Sequence, residues 1–302
     1  MRIDHLNPWF GLAMAAVVFS PHATRSDEPR LPRPYSQLIP LYTPLAPPKP
    51  DEWLWQHPEP GQTFAEYKAS KPIRAEANRR VIYIQPLGEF SQTQQKILDR
   101  TCEYMHLYFG LPIEKQKPLS LDVIPAKARR VHPSWGMDQI LSTYVLDQVL
   151  IPRVPRDAVA VLALTTSDLW PGKGWNFVFG QASLQSRVGV WSIYRNGDPD
   201  AGEEEFRLCL RRTLKTATHE TGHMFSMLHC TAYECNMCGS NHRVESDRHP
   251  LWLCPVCLAK LTWATGVEPV GRYERLAAFC KENRFVEEAE FFQKSIAVLQ
   301  GE

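Results

Sequence analysis

The 302-residue chain has no apolar run long enough to cross a membrane as a helix. Trp9 to Phe19 falls well short of the roughly 20 residues a span requires. That run matches an export signal in length, but Asp4 spoils the basic start and Pro21 occupies a place where small cleavage-site residues belong. A cytoplasmic location without stable membrane insertion is therefore expected, with export through this weak segment as the alternative. An excess of one charge sign is missing too. Lys and Arg number 34 against 33 Asp and Glu, a net charge of +1, which excludes the electrostatic footprint of a nucleic-acid or anionic-surface binder. There is no disulfide framework either. Of eight cysteines, five crowd between Cys230 and Cys257, and Cys102, Cys209 and Cys280 are scattered, a distribution that favours a reducing compartment. What remains is an ordinary globular composition, 44% hydrophobic and 22% charged, able to bury one sizeable core.

Proline is abundant in one place. Ten prolines lie between Pro29 and Pro60, removing backbone donors and favouring extended polyproline geometry, so residues 1–75 read as a proline-rich arm. Its aromatics Tyr35, Tyr42, Trp53 and Trp55 are available to pack on the domain. Val81 to Gln85 is a β-branched run fit for a buried strand. Ser91 and Gln94 form a capping box for a helix reaching Tyr108. Leu119 to Ile124 reads as a strand, Asp138 to Val149 as a helix, and Ala158 to Leu164 as a wholly apolar strand. Such alternation predicts an α/β fold on a mostly parallel sheet. Phe177 to Leu184 and Val188 to Tyr194 follow as short strands about a turn at Gln185 to Arg187, and Asn196 to Glu205 is a polar loop. Phe206, Leu210, Leu214 and Ala217 then mark one stripe of an amphipathic helix. Leu258 to Trp263 continues as helix, and residues 269–302 read as a helical hairpin that buries its face either by docking on the main domain or by meeting a partner.

Histidine and cysteine concentrate between His219 and Cys257. On a helix over residues 205–225, His219 and His223 stand four apart on one face and can share a metal ion. Continued as helix, His229 would be turned by about 240° and displaced by about 9 Å, so the chain must bend near Ser226 for it to join them. Three neutral imidazoles leave a tetrahedral zinc one position for water, acidified to a pKa of about 7. Glu220, beside the first ligand, can take the proton of that water as it attacks a carbonyl and pass it to the leaving amine. Separately, Cys235, Cys238, Cys254 and Cys257 have zinc-ribbon spacing, and Cys230 offers a fifth thiolate. His242 and His249 read as loop residues.

HETGHMFSMLHC from His219, followed by Cys235, Met237, Cys254 and Cys257, resembles the signature of the archaemetzincins, a family of the metzincin clan of zinc metallopeptidases. WNFVFGQASL at Trp175 to Leu184 and SNH at Ser240 to His242 also resemble members of this family. The resemblance implies a metzincin-like fold with an antiparallel strand at the sheet edge, contributed by Phe177 to Leu184, in a catalytic domain over residues 76–268. It implies two zinc ions: a catalytic one on His219, His223 and His229, with Glu220 as general base, and a structural one on Cys230, Cys235, Cys254 and Cys257. Met237 would lie beneath the catalytic metal. Cys238 remains the rival of Cys230. One departure stands out: Ser226 replaces a glycine suited to a left-handed turn, which costs on the order of 1 to 2 kcal/mol.

The expected function is peptide-bond hydrolysis by a monomeric zinc metallopeptidase acting on peptide or protein substrates, with no nucleic-acid partner. Two rivals stand beside it. One is a zinc-stabilised peptide-binding or scaffold protein with little or no turnover, for which Ser226 argues. The other is a zinc-ribbon nucleic-acid binder with incidental histidines, against which the low basicity of the cysteine region counts.

Overall fold

A computed structural model describes residues 31–302. The apolar run from Trp9 to Phe19, and with it the reading of an export signal, lies outside the described residues. Among the described residues no helix is long and apolar enough to cross a membrane.

The organising strand is β5 (Ala158–Thr165), every residue of which is buried. Its alternating side chains serve two apolar clusters. Ala160, Leu162 and Leu164 point into one, and Val161 and Ala163 into the other. A strand covered on both faces needs parallel neighbours linked by helices. β1 (Val81–Leu87) and β8 (Val188–Ser192) flank it in parallel, β2 (Ile113–Lys115) pairs with β1, and β7 (Gly180–Ala182) closes the edge antiparallel to β8. The order is β2-β1-β5-β8-β7, the mostly parallel sheet with an antiparallel edge strand that was expected. A second sheet joins β3 (Arg129–Val131), β4 (Asp138–Leu141) and β6 (Asp168–Trp170) in the order β3-β4-β6.

Two long helices cover the first cluster. α4 (Gln92–Phe109) begins at the Ser91–Gln94 capping box and ends on Gly110 in the left-handed region. α6 (Glu203–Met224) starts with three glutamates in its first turn, a favourable placement at the positive end of a helix dipole, and buries Leu210, Leu214 and Ala217. The opposite face is covered by α5 (Ser142–Tyr144), which runs on as a π-helical stretch over Val145–Leu150. The predicted helix from Asp138 thus begins only at Ser142. Its first residues pair as β4 because Gln139 finds the buried carboxylate of Asp168 at 2.7 Å. Leu119 to Ile124 is not a strand. Ser120 caps a 3₁₀ turn by accepting from the Asp122 N–H at 3.2 Å, leaving only Leu119 bridged to Leu87.

The short helices of the arm are α1 (Arg33–Ser36), α2 (Trp53–Gln56) and α3 (Phe64–Ala69). The chain between them runs along the loop that follows α6, with the Leu45 N–H on Ala232 O at 3.0 Å and the Glu234 N–H on Thr43 O at 3.0 Å. After α7 (Arg243–Arg248) and α8 (Pro255–Thr265), the helices α9 (Pro269–Glu282) and α10 (Val286–Gln300) form the tail. Tyr273, Leu276, Phe279 and Phe292 join the same core as α4. Glu288, almost fully buried, meets Arg211 of α6 at 2.5 Å, so the tail is docked.

α6 stops where the third histidine requires. Ser226 has φ +64°, its N–H bonds to His223 O at 2.7 Å and the Met227 N–H bonds to Gly222 O at 3.1 Å. This is a Schellman stop with serine at the position usually held by glycine. The hydroxyl compensates for the strain. It donates to Leu184 O at 2.9 Å and accepts from the Ile73 N–H at 3.2 Å, tying the turn to the β7–β8 connection and to the arm. Ser226→Ala keeps the strain and loses both bonds, so thermal denaturation should show a loss of about 1 to 3 kcal/mol. Ser226→Gly loses the bonds but relieves the strain and should stay within about 1 kcal/mol of the parent. A glycine variant as unstable as the alanine one would mean that the turn is not strained.

Candidate metal centre

The turn at Ser226 brings His229 back to the last turns of α6. Ring centroids of His219 and His223 are 4.6 Å apart, those of His223 and His229 4.8 Å, and those of His219 and His229 5.3 Å. One ring nitrogen from each lies within 4.8 Å of the other two. The structure therefore gathers the three histidines named from sequence.

Each ring is fixed through Nδ1. His219 Nδ1 is 2.7 Å from Asn236 O, His223 Nδ1 is 2.7 Å from Met227 O, and His229 Nδ1 is 2.9 Å from both oxygens of Glu59. A carbonyl or carboxylate oxygen only accepts, so Nδ1 carries the proton and Nε2 presents a lone pair. His219 Nε2 and His223 Nε2 face each other at 3.0 Å. Two lone pairs that close repel unless a cation lies between them. Tetrahedral zinc with Zn–N of about 2.0 to 2.1 Å separates its nitrogens by about 3.3 Å, close to what is found. Burial and the other two imidazoles push His219 well below the ordinary histidine range. Burial and His229 bring His223 down to about 3. These rings stay neutral, as metal ligation demands. The residues fit a zinc ion.

Glu220 follows the first histidine and is buried. Burial raises its carboxyl to about 8. It packs on Gly180 of β7, where an added Cβ would come within 2.5 Å of Oε1, so the absent side chain is the space the carboxylate occupies. Met237 lies against α6 between the first two histidines, and a Cβ on Gly222 would meet its sulfur at 2.5 Å. Glu220 and the histidines line a cleft of about 770 Å³. Trp53 and His57 of the arm line it together with Trp175, Phe177 and Phe179. His57 stacks on Trp175 at 5.4 Å.

Next to this centre, Cys230, Cys235, Cys254 and Cys257 form a second cluster, buried, unpaired by disulfides and with all sulfurs within 4.8 Å. Cys230 Sγ and Cys254 Sγ are 3.6 Å apart, against about 3.8 Å between sulfurs of a tetrahedral zinc with Zn–S of about 2.3 Å. Backbone N–H groups of Met237 and Cys254 point at Cys235 Sγ, at 3.5 and 3.2 Å, and that of Cys257 at Cys254 Sγ, at 3.4 Å, as suits thiolate acceptors. Hydrogen bonds from its fellow thiols hold Cys230 well below the usual thiol range, while burial pushes Cys235 and Cys254 up. Cys238 falls outside the group of four and donates to Tyr233 O at 3.3 Å. His242 caps α7 by accepting from the Glu245 N–H, and His249 holds Glu234 at 2.7 Å. Neither joins a cluster.

Sequence reasoning missed Glu59, Trp53, His57 and the carbonyl of Asn236. Nothing in a linear reading ties Glu59 to a histidine 170 positions away. The one available signal was the crowding of aromatic and acidic residues into the proline-rich Asp51 to Pro60.

Comparison with known proteins agrees with this geometry. The sequence profile of Peptidase family M54 matches residues 80–263. Human Archaemetzincin-2 is 35% identical over 268 residues, covering 78% of this chain and 74% of that protein. Human Archaemetzincin-1 is 29% identical over 260 residues, covering 74% and 51% respectively. The crystal structure of archaemetzincin from Methanopyrus kandleri superposes with a TM-score of 0.51 at 30% identity, covering 64% of this chain and 98% of that one. The chain belongs to peptidase family M54, the archaemetzincins, and is a zinc metallopeptidase.

Proposed function

We propose that this chain hydrolyses peptide bonds in the cleft above His219, His223 and His229, with these three residues holding a catalytic zinc and Cys230, Cys235, Cys254 and Cys257 holding a structural one. The observation that carries the reading is the set of three Nδ1 anchors, which leave three Nε2 lone pairs converging on one point. Zinc bound there supplies a Lewis acid that polarises a carbonyl and acidifies a water molecule to a pKa of about 7.

The chain's own residues do the rest. Glu220 has no place among the converging nitrogens and lies at the cleft floor against Gly180. A zinc ion beside it would favour the ionised carboxylate that burial alone disfavours, and in that form Glu220 takes the proton of the attacking water and delivers it to the leaving amine. Burial keeps the carboxyl out of bulk solvent, so the proton stays with the reacting groups. β7 ends the five-stranded order, and an extended peptide can pair with such an edge through its backbone. The aromatic side chains of Trp53, Trp175, Phe177 and Phe179 line the same cleft and offer apolar contacts to the peptide's side chains.

Glu220→Gln should lower kcat by about 100-fold or more in a peptide-cleavage assay while elemental analysis finds the zinc content unchanged. A fully active variant would remove Glu220 from the mechanism. Gly180→Ala must displace the same carboxylate and should reduce activity by about tenfold or more with zinc retained.

Metal counting tests the ligand sets. The purified chain should hold two zinc ions and His223→Ala one. Cys230→Ser should weaken the second ion where Cys238→Ser does not. The reverse order for the two cysteines would transfer the ligand role to Cys238.

A further inference from the structure

The imidazole of His229 differs from its two neighbours in what holds it. The other rings lean on backbone carbonyls of the segment just beyond α6, at Met227 and Asn236. His229 leans on a side-chain carboxylate from the proline-rich arm. Both oxygens of Glu59 are 2.9 Å from Nδ1, and Oε1 also accepts from Trp53 Nε1 at 2.8 Å. The Glu59 side chain is only 26% exposed.

The local sequence is Pro58-Glu59-Pro60-Gly61. A residue ahead of proline is driven into extended geometry, and proline fixes its own φ, so the carboxylate is presented from a stiff backbone. That backbone is pinned on both sides of Glu59. Gly61, with φ +72°, passes so close to the residue two beyond His229 that an added Cβ would overlap the Thr231 hydroxyl. Gln62 accepts from the Leu228 N–H at 3.3 Å, and its carbonyl accepts from Lys260 at 2.5 Å. Trp53 fills the space left by the missing side chain of Gly239 and sets its ring 5.2 Å from that of His229. An exposed ion pair would need none of this.

We propose that Glu59 is a positioning residue of the catalytic centre: the arm supplies the carboxylate that orients His229 and strengthens its Nε2 as a donor to the metal. The inference rests on the reading of the three histidines as zinc ligands. A carboxylate on the far nitrogen of a ligating imidazole fixes tautomer and ring angle and raises basicity, and losing such a partner costs about 10- to 100-fold in metal affinity. The arm is then part of the metal centre and not merely an appendage to the domain.

The test is a zinc competition titration of the full chain against a chromophoric chelator, resolving the two sites, for the parent, Glu59→Ala and Glu59→Gln. Affinity at the histidine site should fall about 10- to 100-fold in Glu59→Ala and less in Glu59→Gln, which keeps an acceptor oxygen without the charge. The cysteine site should be unchanged and serves as the internal measure of folding. If Glu59→Ala does not fold, Glu59→Gln decides. In the cobalt-loaded protein, the visible bands of the histidine site should shift in Glu59→Gln, which a residue that only pins the arm would not produce. Affinity within twofold of the parent and unmoved bands, with the cysteine site intact, would overturn the role of Glu59 alone. A parent protein with no zinc lost on His229→Ala would overturn both this inference and the three-histidine reading beneath it.

Discussion

Everything at the centre of this molecule depends on where three ring protons go. An imidazole has two nitrogens, and the protein decides which one is free by giving the other an acceptor it cannot refuse. Asn236 O, Met227 O and the carboxylate of Glu59 each claim one Nδ1 proton, and the three remaining lone pairs are gathered together, with the Nε2 atoms of His219 and His223 3.0 Å apart. A cation shared by these nitrogens would remove the repulsion that the arrangement sets up.

Much of this was legible in the sequence, and the parts that were share a property: their partners are near in the chain. The pair His219 and His223 follows from helical spacing, the α4 start from Ser91 and Gln94, and the buried β5 from an uninterrupted apolar run. The necessary break at Ser226 followed from the angle at which His229 would otherwise point, and the serine sits at φ +64°. The resemblance to archaemetzincins chose Cys230 over Cys238, where spacing alone favoured Cys238, and the four sulfurs that gather are those the resemblance implied.

What could not be read is held by contacts distant in sequence. Leu119 to Ile124 is apolar enough for a strand, yet the short run Ile113–Lys115 takes the place beside β1, because Ser120 offers its backbone a local bond instead. Asp138–Leu141 has the period of the helix that follows it, but a buried carboxylate on β6 draws it into a sheet. Glu59 is an unremarkable acid among prolines until the fold lays it against His229. Propensity and periodicity describe neighbours, whereas these three outcomes are set by what arrives from elsewhere.

The loop from Cys230 to Cys238 has a double duty. It begins one residue after His229, contributes Cys230 and Cys235 to the thiol cluster, and lends the carbonyl of Asn236 to His219. The two clusters are consequently not independent parts that happen to be adjacent. Drawing the sulfurs together fixes the loop, and the loop presents the carbonyl that orients a ring on α6, so the shape of the imidazole pocket depends on the sulfur cluster beside it.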